Sequence, residues 1–145
     1  MGQQQLLLLV LGIVIVGLAV VVGIQAFGEN QKKANADALV NDAVRIASDA
    51  QAWKLKPAAF GGGSNAADPT NKDFTGLSLK QLGYEVGTQT GCTTYGNLNG
   101  CFDITPAADK LTIVGKSTAN ANQVTVVVTG TTPNAIQTTV APLTP

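Results

Sequence analysis

Histidine is absent from this chain, arginine occurs once (Arg45), and the only cysteines are Cys92 and Cys101. Without imidazole, the commonest general base and the commonest nitrogen ligand for zinc are missing. Two cysteines with no second pair cannot complete a tetrahedral site. Aromatic residues are sparse as well: Trp53, Tyr84, Tyr95, Phe27, Phe60, Phe74 and Phe102. They form no continuous ladder on which bases could stack. Nine acids balance nine bases, so no net field points to a nucleic-acid partner, and none is expected. The most informative absence is local: residues 1–28 contain no charged side chain.

Catalytic constellations are equally thin. Ser64 and Ser78 have no visible activating base. Asp103 and Asp109 could in principle place two carboxylates together, but as acids flanking Pro106 they read as surface residues. Gly61-Gly62-Gly63-Ser64 lacks the Gly-Lys-Ser/Thr that a phosphate-binding loop needs. No Asp-x-Asp-x-Asp-Gly calcium loop occurs. The expectation is a non-enzymatic protein with no cofactor and no metal.

What the chain does have is an apolar or glycine run from Leu6 to Ile24. At about 1.5 Å per residue it reaches roughly 28 Å, enough to cross hydrocarbon. A cleaved secretory signal fits less well. Met1-Gly2-Gln3-Gln4-Gln5 has no Lys or Arg, and Ile24-Gln25-Ala26 is a poor small-residue cleavage site. A plain anchor and an anchor that later enters a helical polymer remain as readings. Lys32 and Lys33 after the span weakly favour a C-terminal part held inside. The cysteine pair and the Thr-rich remainder favour an outside location, which is the expectation here. Gly12, Gly17, Gly23 and Gly28 punctuate the run at spacings that make no GxxxG motif. They are either ordinary membrane-helix glycines or points where the helix loosens on leaving lipid.

Beyond Asn30 neither Pro nor Gly occurs until Pro57. Leu39, Ala43, Ile46, Ala50 and Trp53, with Ala36 before them, recur at alternating spacings of three and four, an apolar stripe on one helix face. Val40, Val44 and Ala47 widen it. Pro57 stops the helix near Leu55 or Lys56. A continuous helix from about Gln3 would be on the order of 80 Å long. The remaining domain is too small to cover such a length, so the apolar front must be buried by lipid or by other copies.

This layout resembles that of the type IV pilins. The resemblance rests on the apolar helix Leu6–Ile24, its amphipathic extension Asn30–Leu55 and the β-rich remainder. It implies an α+β fold with a long N-terminal helix packed on an antiparallel sheet. Three segments follow: an apolar transmembrane or filament-core half-helix over 1–28, an amphipathic half-helix over 29–56 and a globular head over 57–145. It also implies a homopolymer built through Leu6, Leu9, Ile13, Val16, Val20 and Ile24. Before assembly the chain would reside in the inner or cytoplasmic membrane, and afterwards in a cell-surface filament, with pilus assembly machinery as partner. Gly2 is the implied processing site. Members of the family usually place a Glu near the start of the mature helix; here Gln3, Gln4 and Gln5 stand there. The function implied is that of a major pilin. The alternatives are a pseudopilin or minor pilin of a secretion or DNA-uptake machine, and a monomeric membrane-anchored binding protein.

In the C-terminal half, Phe60 to Asp73 reads as a surface loop. Leu77 to Gly83 reads as a short helical turn with Leu79 and Leu82 turned inward, and Tyr84-Glu85-Val86 as the start of a strand. Cys92–Tyr95 and Cys101–Thr105 flank Gly96-Asn97-Leu98-Asn99-Gly100 as a hairpin. Outside the cytoplasm its cysteines default to a disulfide stapling the base, with a two-ligand metal site as the weaker alternative. Leu111–Val114, Gln123–Thr129 and Ile136–Ala141 alternate as three further strands of a meander. Their inner row is expected to include Val124, Val126, Val128, Ile136, Thr138 and Val140. The outer face is Thr-rich, and since no Asn-x-Ser/Thr sequon occurs, any glycan there would be O-linked.

Overall fold

The computed structural model describes residues 2–63, 73–85 and 92–142. It is an α+β arrangement of one long helix and one antiparallel sheet. Helix α1 spans Gly2–Leu55. Ala, Leu, Val and Gln dominate it, and no proline interrupts it. It ends two residues before Pro57, which has no N–H to continue the ladder. The sheet is five-stranded in the order β1-β2-β3-β4-β5, with strands Tyr95–Gly96, Cys101–Pro106, Leu111–Ser117, Asn122–Val128 and Ile136–Pro142. Every neighbouring pair is antiparallel, as connections this short require.

The chain divides into two compact units, Met1–Ala34 and Asn35–Pro145. The first is helical from Gly2 onward, and every side chain described in it is exposed. Gly12, Gly17, Gly23 and Gly28 leave the helix uninterrupted, and open space surrounds each of them.

The second unit holds the core. Leu39, Ala43, Ile46, Ala47 and Ala50 of α1 are buried together with Phe102, Leu111, Ile113, Val124, Val126 and Val128 of the sheet. Trp53 and Val40 are partly buried against the same cluster. The period of two along β3 and β4 puts these sheet residues on one face, and full burial of such a side chain contributes about 1.5–3 kcal/mol. Helix and sheet approach closely because two positions lack a side chain. A Cβ on Gly115 would lie 2.8 Å from the Phe102 ring, its cross-strand partner, and 3.7 Å from a Leu39 methyl. A Cβ on Gly100 would lie 2.9 Å from the same Leu39 methyl.

Several local expectations change. Strand β3 runs to Ser117, three residues past Val114, and β4 ends at Val128 rather than Thr129. The short turn expected over Leu77–Gly83 is present as consecutive tight turns over residues 78–83, closed by Gly83 at a φ of 86°. Leu77 and Leu79 are the buried residues there, while Leu82 is half-buried. Tyr84 and Glu85 belong to no strand, and Val86 lies outside the described residues. On β5, Thr138 and Val140 are exposed, although their partners Val126 and Val124 are buried. As the last strand of the sheet, β5 has a neighbour on one side only.

The glycine stretch after the helix is not simply a surface loop. Gly63 is buried, and its N–H donates at 2.9 Å to the Trp53 carbonyl at the helix C-terminus, which also accepts from the Lys56 N–H at 3.2 Å. A Cβ there would come within 2.5 Å of the Trp53 ring. Asp73 and Phe74, where the described chain resumes, are buried too. Residues 64–72, which include Ser64, lie outside the described part.

Candidate functional site

Leu6, Leu9, Ile13, Val16, Val20 and Ile24 are each between 54% and 68% exposed. Leu7, Leu8, Val10, Val14, Ile15, Leu18, Val21 and Val22, which fill the other helix faces, are just as open. The apolar surface is therefore a belt around the whole circumference, not a stripe. A stripe needs one neighbour; a belt needs apolar surroundings on every side. The helix is long and apolar enough to cross a membrane, and the segment that meets this test has no buried residue. It is thus consistent with membrane anchoring. Missing side chains at Gly23 and Gly28 open a shallow groove bordered by Val20, Ile24, Phe27 and Gln31. Gly2 begins the helix, followed by exposed Gln3, Gln4 and Gln5.

The stripe of the amphipathic half behaves in the opposite way. Leu39, Ala43 and Ala50 are fully buried and Ile46 nearly so, while Trp53 is half-buried. The Trp53 indole Nε1 is buried without an acceptor among the described residues. Ala47, expected only to widen the stripe, is as buried as its centre.

Polar side chains of α1 tie the sheet connections down, which sequence reasoning missed. Asp42 Oδ2 accepts from Asn97 Nδ2 at 2.8 Å and from Asn99 Nδ2 at 2.7 Å, both at the β1–β2 turn. Asn35 donates to the Asn99 carbonyl at 2.9 Å and accepts from Asn122 at 3.1 Å. Gln51 donates to the carbonyls of Gly130 and Thr132 at 2.8 and 3.0 Å, between β4 and β5. Asp49 Oδ2 accepts from the Tyr84 hydroxyl at 2.6 Å. Burial first, then this hydrogen bond and the Asp49 charge, push the Tyr84 phenol well above its ordinary value. The signal was present: Asn35, Asp42 and Asp49 stand seven apart, two helical turns, along the edge of the apolar stripe.

Cys92 and Cys101 form a disulfide with Cα atoms 5.3 Å apart. It does not staple the base of the hairpin. Gly96 is the partner of Cys101, so Cys101 stands next to the turn, and the bond holds the segment before β1 back against the start of β2. The β1–β2 ladder is only two pairs long, so the chain before Tyr95 leaves the register that would have set Cys92 opposite Thr105. The Thr93 and Thr94 hydroxyls both donate to Asp103 from this segment. Asp103 is thereby engaged within β2, while Asp109 is exposed in the turn beyond Pro106. The two carboxylates are not assembled into a pair. No group of three or more His, Cys, Asp or Glu able to hold a metal exists among the described residues. Comparison with known families, characterised proteins and solved structures finds nothing that matches this chain.

Proposed function

We propose that this chain is a structural subunit, the major pilin of a type IV-like extracellular filament, which polymerises through its apolar N-terminal helix. The observation that carries this reading is the apolar belt. A contiguous, charge-free surface of this extent does not stay in water. Lipid can cover it before assembly, and sister helices can cover it afterwards. The second unit supports the same reading because it completes its own core. Its head would remain folded whether the belt is in a membrane or in a filament. The expected partners are further copies of the same chain, and the expected role is mechanical rather than catalytic.

The test is replacement of Val16 or Val20 by Asp, with filaments sheared from cells and counted by electron microscopy. An unpaired carboxylate in an apolar bundle is costly, so filaments should be lost. Immunoblotting of membranes tracks insertion. If a variant is lost from the membrane, Val16→Ala with Val20→Ala removes packing volume while leaving the span apolar, and filaments should become scarce. Normal filaments in all variants would overturn the packing argument. Wild-type cells without filaments of this chain would reduce it to a membrane anchor.

A further inference from the structure

The turn between β1 and β2 contains Asn99-Gly100, the dipeptide in which an asparagine amide is most open to attack by its own backbone. We propose that Asn99–Gly100 is a latent deamidation site, held unreactive by the hydrogen bonds that anchor this turn to α1. The proposal is independent of what the N-terminal segment does.

Glycine at 100 is imposed by packing. Any Cβ there would run into the Lys116 carbonyl oxygen and lie 2.9 Å from a Leu39 methyl. The nitrogen that follows Asn99 therefore has no side chain to shield it. Asn99 is held just as firmly, since its amide donates to Asp42 and its carbonyl accepts from Asn35. The fold thus requires the reactive pair, and the same contacts close it. The Gly100 N–H donates to Asn97 Oδ1 at 3.1 Å, and the Asn99 N–H donates to the same oxygen at 2.9 Å. Asn97 is fixed in turn by its own amide, 2.8 Å from Asp42 Oδ2.

Reaction requires the Gly100 nitrogen to give its proton to solvent base and to attack the Asn99 side-chain carbonyl carbon. The new C–N bond closes a five-membered imide, the Cγ–Nδ2 bond breaks and the amide nitrogen leaves as ammonia. Water then opens the imide to aspartate or its β-linked isomer. In the folded turn the attacking nitrogen is bonded to Asn97 and the departing amide to Asp42, so both bonds must break first. The product replaces a donor with a carboxylate beside Asp42, and like charges in contact repel. Conversion would therefore remove the Asn99–Asp42 tie and weaken the attachment of the turn to the helix irreversibly. Reactivity at this site follows local opening of the turn.

Full-length protein in detergent is aged in mildly alkaline buffer, and peptide mapping scores Asp and isoaspartate at 99, with Asn97 as internal control because Leu98 shields its following nitrogen. Conversion at Asn99 should be at least about tenfold slower in folded protein than in urea, a difference equivalent to about 1.4 kcal/mol. Asp42→Ala should move the folded rate towards the rate in urea. Asn97→Ala, which frees the Gly100 N–H but leaves Asp42 in place, should give an intermediate rate. Equal rates for wild type with and without urea would overturn the proposal. So would Asp42→Ala and Asn97→Ala proteins that remain folded by circular dichroism yet convert as slowly as wild type.

Discussion

Tyr84 and Asp49 illustrate what a single contact contributes. The phenol is held protonated because burial and the neighbouring carboxylate both oppose its ionisation. An unfolded tyrosine loses its proton near pH 10, whereas Tyr84 in the fold keeps it beyond that. Above about pH 10 the unfolded chain therefore binds fewer protons than the folded one, and stability falls as pH rises. Denaturation midpoints measured at about pH 8 and about pH 11 should show this fall, and Tyr84→Phe should flatten it. At neutral pH the same substitution should cost about 1 kcal/mol, because the Asp49 carboxylate loses its donor. Gly63 makes a second point at this scale. Its N–H caps the end of α1 and its missing side chain admits the Trp53 ring. Gly63→Ala should destabilise the second unit by about 1–3 kcal/mol, the usual range for overpacking, read by urea denaturation.

At the scale of elements, α1 is one helix with two kinds of surface. Up to Ala34 its side chains are exposed; from Leu39 a stripe of small and branched residues is buried. Alanines at 43, 47 and 50 are buried beside the sheet residues, and Leu39 and Ile46 are the large side chains that the helix buries almost completely. Leu39→Ala should lose about 2–5 kcal/mol, since Gly100 and Gly115 beside it cannot fill the cavity. The β1–β2 hairpin depends on ties rather than on its ladder. Two strand pairs alone do not hold a hairpin in water; the disulfide and Asp42 hold this one. Removing the disulfide by Cys92→Ser with Cys101→Ser should cost about 2–3 kcal/mol on the chain-entropy account. Thermal melts with and without reductant check this, and only the wild type should respond to the reductant.

For the whole molecule, the division at Ala34 separates a unit with no buried side chain from one that contains the entire described core. A chain beginning at Asn30 should therefore be a soluble, folded monomer, whereas the full chain should require detergent or assemble. Sedimentation and far-ultraviolet circular dichroism of the two proteins read this difference. A truncated chain that aggregates would show that the head needs its apolar extension in order to fold.

Sequence alone determined whatever depends on local period and composition. The charge-free run, the spacings of three and four through Trp53, the stop at Pro57 and the alternation of Val124, Val126 and Val128 each reflect geometry that a helix or strand imposes on its own residues. Long-range contacts were not legible in this way. The hydrogen bonds of Asp42, Asp49 and Gln51 carry no local mark, because nothing nearby in the sequence shows that their distant partners lie within reach. Gly63 and Gly100 looked like turn formers, because the ring and the methyl group that exclude a side chain there come from α1. Thr138 and Val140 alternate as correctly as the buried valines do, yet they are exposed, since burial depends on what lies opposite and β5 is the edge of its sheet. Periodicity determines which face a residue occupies; only the tertiary structure decides what that face meets.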